Sequence, residues 1–313
     1  MSLGVVPERV RVRAPGKINL FLEVGAVHDD GYHDVATVYQ AVSLYEEVVA
    51  SLDDEFSVRV VDETGRPVAG VPDDDRNLAL RAARMVAREI GYLGGVHLDI
   101  RKAVPVAGGM GGGSADAAAA LVACDALWGA GLTSLALHEM AARLGADVPF
   151  ALLGGSAVGT GRGDRLSPAL ARARFDWVLV SRTTGLSTPA VYDELDRLRA
   201  ASRLDIAPEP GVPEVDPTVL AALRSGAVDT LASGLRNDLQ DAACSLEPRL
   251  RDVLDAAAGA GAVAGIVSGS GPTVALLAAD ADSARRLEHD LGAAGHRARH
   301  VYGPVPGAKV MHR

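Results

Sequence analysis

Residues 105–120 read PVAGGMGGGSADAAAA, with glycine at five of the six positions from Gly108 to Gly113 and a run of helix formers behind them. Glycine loses more backbone freedom on folding than any other residue. Such density is unfavourable unless the chain must adopt conformations closed to side chains, or bring its main chain close to something else. The alanine-rich stretch that follows has the composition of a helix, and the spacing predicts one over 115–128 with Ser114 as its cap. A helix N-terminus offers N–H groups without intrahelical partners and about half a positive charge. Converging N–H groups of loop and helix, from Gly109 to Ser114, suit a polyphosphate. A flexible linker is the poorer reading, since linkers mix in Ser, Thr or charge and do not run straight into an apolar helix.

Neither familiar phosphate loop is present. Gly108 and Gly113 have the glycine spacing of G-x-x-x-x-G-K-[ST], but Ser114-Ala115 follows where lysine is required. Gly109 and Gly111 begin a G-x-G-x-x-G fingerprint, and Ser114 stands in place of its third glycine. Asp116, in the first turn of the expected helix, has two readings of equal weight. It compensates the helix dipole, or it faces a polyphosphate across a divalent ion or a hydroxyl.

At 313 residues the chain exceeds the size at which one core keeps growing, so two domains are expected, 1–160 and 161–313. A formal charge of −9 argues against nucleic acid or an anionic membrane as the main partner. The basic stretch RLRAASR (197–203) lacks aromatics and reads as a solvated helix face. Two cysteines, Cys124 and Cys244, with no Cys/His cluster of ligand spacing, imply a reducing cytoplasm and no structural zinc. The first residues lack the apolar segment of a signal peptide. Residues 256–279 carry no charge, but their glycines and Pro272 read as a strand, a turn and a second strand rather than a membrane span.

Further along, RVRVRA (9–14) and INLFLEV (18–24) suggest paired strands bent at Pro15-Gly16, with more strands at 56–61 and 96–101. Asn77 precedes a helical stripe of Leu78, Ala82, Met85, Val86 and Ile90, and a helix over 134–144 stops at Gly145. Strands first and helices after point to an α+β fold. The Pro-rich stretch 205–217 reads as a surface loop.

PVAGGMGGGSADAA resembles the phosphate-binding motif of the GHMP kinase superfamily. APGKINLFLEVGAVHDDGYH (14–33), LGADVPFALLGGSAVGTGRGD (144–164) and SGSGPTV (268–274) follow in the order found in that superfamily's branch acting on a cytidine diphosphate-linked methylerythritol. The resemblance runs from about residue 11 to residue 278. It implies a two-domain fold, a ribosomal-protein-S5-like N-terminal domain followed by a ferredoxin-like C-terminal one, and ATP as phosphate donor. It also implies catalysis by Asp147 as acceptor of the substrate hydroxyl's proton, with Lys17 beside it.

The same resemblance places ATP on Asn77, Pro105, Ala107, Gly108, Gly109, Met110, Gly111, Gly112, Gly113 and Ser114. The small-molecule substrate falls to Asn19, Tyr32, His33, Lys102, Asp147, Thr188, Tyr192, Gly269, Ser270 and Gly271, with Tyr32, His33 and Tyr192 holding the cytosine. Many superfamily members have two serines after the glycines, and this chain has Ser114-Ala115. No protein-made metal site is therefore expected, and Mg²⁺ is expected to arrive with ATP. Read without the resemblance, Asp147 would serve as a helix cap, Lys17 as a strand-end lysine and Asn77 as an N-cap. Another small-alcohol kinase of the homoserine or mevalonate type, or a non-catalytic nucleotide-binding regulator, are the other functions weighed.

Overall fold

A computed structural model describes residues 8–182, 185–202 and 211–311. Residues 205–210 of the Pro-rich stretch at 205–217, and Arg203 of the basic stretch, lie outside the described residues.

The first sheet is built around two long antiparallel strands, β1 (Arg9–Val27) and β2 (His33–Asp53). The two stretches expected to form a hairpin at Pro15-Gly16 are one continuous strand. Pro15 and Gly16 sit at a register shift against β2, so the bend is a bulge that re-aims the following residue, Lys17. The sheet extends through β4 (Gly95–Lys102), which pairs with β2, to β3 (Phe56–Asp62), parallel to β4. β5 (Ser156–Thr160) adds to β2 and carries β6 (Arg165–Ala169) as its hairpin partner.

Four helices accompany this sheet: α1 (Leu78–Ile90), α2 (Gly112–Trp128), α3 (Ser134–Leu144) and α4 (Val148–Leu153). α2 is apolar on all sides because it is buried on all sides; every residue from Ala115 to Leu121 is buried, Asp116 included. Its alanines let α1, the sheet and α4 approach together into one core.

The second sheet has the order β11-β7-β10-β9, antiparallel throughout: β7 (Phe175–Ser181), β9 (Ala264–Val267), β10 (Val274–Ala278) and β11 (Arg297–Gly303). It is accompanied by α5 (Thr188–Ser202), α6 (Pro217–Ser225), α7 (Val228–Gly234), α8 (Gln240–Leu246), α9 (Arg249–Gly259) and α10 (Ala281–Ala293). The uncharged stretch 256–279 is the end of α9, then β9, a turn and β10, as its glycines require. No helix among the described residues is long and apolar enough to cross a membrane.

The sheets share a core. Ile18, Leu20 and Val38 of the first pack with Trp177, Leu179 and Leu277 of the second, and Trp177 Nε1 donates to Gln40 Oε1 at 3.0 Å. The first sheet also takes strands from beyond residue 160: β6, then β8 (Arg236–Asn237) and β12 (Lys309–Val310), both on the edge of β1 opposite β2. The arrangement is α+β, with a cavity of about 580 Å³ between the two halves.

Candidate active site

The cavity is walled by the glycine loop, the bulge of β1, the start of α4 and the turn between β9 and β10. The loop needs its glycines for two separate reasons. Gly109 and Gly111 adopt φ of +75° and +69°, and a Cβ on Gly109 would collide with the carbonyl oxygen of Ser268. The loop is thereby docked on the 268–273 turn, where Thr273 N–H donates to Gly108 O at 3.3 Å and Ser268 Oγ to Gly109 O at 3.3 Å.

α2 begins three residues earlier than the sequence predicts. Its cap is Gly111, and no side chain bonds to its first N–H groups. Ser114 is thus the third helical residue rather than the cap, and Gly112 and Gly113 are in the first turn, lining the cavity. An uncapped helix end at a cavity wall leaves its N–H groups for an anion. Met110 points the other way: its side chain is buried in the core and its carbonyl accepts from Lys17 N–H at 3.0 Å.

That bond fixes Lys17 under the loop. Its side chain is buried, and Nζ donates to Asn19 Oδ1 at 2.8 Å. Asn19 Nδ2 donates to Thr37 Oγ1 at 2.8 Å, and Thr37 donates to Phe21 O at 2.7 Å, so the orientation of the Asn19 amide follows from its partners. Asp147 Oδ2 stands 3.9 Å from Lys17 Nζ. Asp147 is the residue before α4, yet its side chain makes no capping hydrogen bond, so the carboxylate is left to the cavity. Gly269 closes the floor: a Cβ there would be 3.1 Å from Asn19 Oδ1 and 3.3 Å from Lys17 Nζ.

Tyr39 was not foreseen from sequence. It pairs across β1 with Asn19, its ring centroid is 5.5 Å from Lys17 Nζ, and burial followed by the charge of Asp147 pushes its phenol well above the ordinary range. A neutral tyrosine beside Lys17 and Asp147 remains a hydrogen-bond donor at neutral pH. Asn237 was also missed. Buried on β8, it donates to Val267 O at 2.8 Å and Gly269 O at 2.7 Å and holds the 268–271 turn from behind.

Lys102, expected at the cytidine end, lines the same cavity and is buried at the head of α2, with Nζ 2.7 Å from Glu46 Oε1 and 2.5 Å from Asp116 Oδ2. A lysine at the end of a strand beneath a buried helix must find carboxylates, because an unpaired ammonium there would be costly. Asp116 is a partner of Lys102, a pairing that neither of its two readings included; it lines the cavity, and one of its oxygens has no hydrogen-bond partner. Burial lowers the Lys102 pKa, but Asp116 and Glu46 outweigh it and hold it above the ordinary lysine value. Two carboxylates on one cation leave an excess negative charge. Burial and the charge of Asp116 raise Glu46 to about 8 against the pull of Lys102.

Asn77 caps α1, accepting from Ala79 N–H at 2.9 Å, and faces the same cavity near Pro105 and Ala107. At the opposite end Thr188 and Ser270 share a hydrogen bond at 2.9 Å, and Tyr192 forms part of the wall. His33 packs on Tyr192 with ring centroids 5.1 Å apart and bonds Asp196 Oδ1 through Nε2 at 3.0 Å. Burial, then Asp147, pushes the Tyr192 phenol up to about 12. Tyr32 lies outside this pair, exposed on the turn before β2.

A carboxylate, an ammonium and an uncapped helix end around one cavity are the materials of phosphoryl transfer to a hydroxyl. Residues 77–155 match the family model of the GHMP kinases N terminal domain, and residues 219–297 that of the GHMP kinases C terminal. The chain is 55% identical over 304 residues to a 4-diphosphocytidyl-2-C-methyl-D-erythritol kinase of Leifsonia xyli, covering 97% of this chain and 99% of the relative. A solved 4-(cytidine 5'-diphospho)-2C-methyl-D-erythritol kinase superposes with a TM-score of 0.74 at 33% identity, covering 94% of this chain and 99% of that one. A mevalonate kinase of L. major has a TM-score of 0.73 at 18% identity over 96% and 98%, a likeness of fold alone.

Proposed function

This chain belongs to the GHMP kinases and, among them, to the 4-diphosphocytidyl-2-C-methyl-D-erythritol kinases, and from that premise we propose how it works. It transfers the γ-phosphate of ATP to the 2-hydroxyl of 4-diphosphocytidyl-2-C-methyl-D-erythritol, giving the 2-phosphate and ADP, a step in non-mevalonate isoprenoid precursor synthesis. The observation that carries the mechanism is the uncapped carboxylate of Asp147 facing Lys17 beneath the glycine loop.

In this reading the N–H groups of the loop and of the first turn of α2 hold the ATP phosphates, and Lys17 offsets charge on the transferring group. Asp147 accepts the proton of the substrate hydroxyl, and the 3.9 Å gap to Lys17 leaves that carboxylate oxygen available for it. Asn19 and Gly269 fix the ammonium, so the pair meets the substrate already oriented. Among the described residues no group of three or more His, Cys, Asp or Glu fits a metal ion. A Mg²⁺ accompanying ATP would take its ligands from phosphates and water.

Tyr192 and His33, packed on one another, are the material for one face of a cytosine, and Tyr32 for a second contact. The cytoplasm is the compartment that two buried, unpaired cysteines fit. The test is a substrate panel followed by ADP release. Release that depends on the cytidine diphosphate substrate supports the reading; equal turnover of homoserine or mevalonate would leave the superfamily and remove the substrate.

A further inference from the structure

Two hairpin turns meet at the cytidine end of the cavity, the turn between β1 and β2 (28–32) and the turn between β5 and β6 (161–164). Val35 N–H donates to Gly161 O at 2.7 Å and joins them. The second turn rests on Tyr39. A Cβ on Gly163 would stand 2.5 Å from the Tyr39 hydroxyl, and one on Gly159 2.8 Å from its ring, so both glycines let the turn sit directly on a buried side chain. The tip of that turn is Arg162, and its position is set from below.

Arg162 reaches across to the first turn. Its Nη2 donates to Asp30 Oδ2 at 2.7 Å, while Asp30 Oδ1 accepts the N–H of Tyr32 at 3.1 Å. The guanidinium carbon lies 3.8 Å from the centroid of the Tyr32 ring and forms part of the cavity wall. One face of Tyr32 is thereby covered, and the residue as a whole is still 56% exposed. An exposed Asp–Arg pair contributes little to stability, so the arrangement is not explained as a fold contact. A flat cation on one face of an otherwise mobile aromatic ring does, however, restrict the ring before anything binds its other face.

We propose that Arg162 is a positioning residue that fixes Tyr32 as a stacking platform for the cytosine, and so sets the affinity for the cytidine substrate without touching the reacting atoms. This rests on the reading of the substrate as cytidine-linked.

The test is a double-mutant cycle of Arg162→Ala and Tyr32→Ala, with KM for the cytidine substrate, KM for ATP and kcat measured for each enzyme, together with competitive inhibition by unphosphorylated cytidine. Arg162→Ala raises KM for the cytidine substrate about tenfold, and the loss does not fall on kcat or on KM for ATP. Because both residues act through one ring, the double variant is about as impaired as Tyr32→Ala alone, instead of about a hundredfold. Inhibition by cytidine weakens in Arg162→Ala by the same factor as substrate KM rises. Unchanged KM, independent multiplication of the two effects, or undiminished cytidine inhibition overturns the proposal, the last two indicating direct contact with the substrate diphosphate. The Arg162 side chain is 53% exposed, so its truncation leaves the fold in place. An unmutated enzyme that ignores the cytidine substrate overturns the substrate reading, and this inference with it, in a measurement made before any variant.

Discussion

The ammonium of Lys17 is 3.9 Å from the Asp147 carboxylate but 2.8 Å from Asn19 Oδ1, so its shorter bond goes to the amide and not to its ionic partner. A tight Lys–Asp pair would occupy the oxygen that must take up a proton; this looser one neutralises charge while leaving it accessible. Asp147→Asn keeps the shape and removes the basicity. Turnover is expected to fall at least about a hundredfold, with ATP affinity within about twofold of the unmutated enzyme, as read by steady-state kinetics and nucleotide titration. Ordinary turnover in this variant would take Asp147 out of the proton-transfer role.

Asn19 is held by Thr37, and Thr37 by the carbonyl of Phe21, so three buried groups in series aim one ammonium. Asn19→Ala frees Lys17 to move onto Asp147. We expect kcat to drop about tenfold, a scale set by misplacing a charged group near the reaction centre, while KM for ATP stays constant. A drop confined to ATP affinity would assign Asn19 to the nucleotide side.

What could be read from sequence was what is local. Asn77 with the stripe behind it and the 134–144 helix ending at Gly145 are each specified by neighbours within a turn or two, and each is where the sequence puts it; the glycine loop is there too, but its last two glycines already belong to α2. The ion pairs of Lys102 were not legible because their partners lie on β2 and α2, and nothing near it in the chain announces Glu46. The bulge at Pro15 was mistaken for a turn for a related reason: only pairing with β2 decides whether a proline bends a strand or ends it. Tyr39 reaches the site only through the register of β1 on β2, and Asn237 only where β8 of the first sheet meets the end of β9 in the second.

Gly109 and Gly111 have nearly the same backbone conformation but different surroundings, and that separates strain from collision. At Gly111 a Cβ would be 3.4 Å from Lys17 Cγ and 3.6 Å from Asp147 Oδ2, ordinary contact. Gly111→Ala should therefore fold, with a loss of about 1–2 kcal/mol from the left-handed backbone alone. At Gly109 the Cβ would strike the Ser268 carbonyl and lie 2.8 Å from Gly271 O, main-chain atoms that have no rotamer to yield. Gly109→Ala is expected to undock the loop from the 268–273 turn and reduce turnover by more than about a hundredfold, the scale of a misplacement of about 1 Å. Urea denaturation and kinetics on both variants decide it; equal behaviour would mean that docking of the turn does not matter.

The Glu46–Lys102–Asp116 cluster should make stability fall as pH rises through neutrality. Glu46 is pushed up to about 8, first by burial and then by Asp116, and burial raises Asp116 as well, Lys102 opposing both. A carboxyl whose pKa is higher in the folded chain binds its proton more tightly there than in the unfolded chain, whose value is about 4.3. Its contribution is fully present below that value and is lost as pH climbs toward about 8. The unfolding free energy should thus decline between about pH 5 and pH 8, with a slope of at most ~1.4 kcal/mol per unit for one proton. Glu46→Gln retains the shape and an amide oxygen for Lys102 while removing the titration, so urea midpoints at pH 6 and pH 8.5 should lie closer together than in the unmutated protein. Lys102→Met leaves two buried carboxylates without their cation and is expected to lower stability by about 3–5 kcal/mol at the higher pH, and by less at pH 6, where protonation of Glu46 relieves part of the charge. The same pH slope in the Glu46→Gln variant and the unmutated chain would mean that the cluster holds a fixed charge across this range.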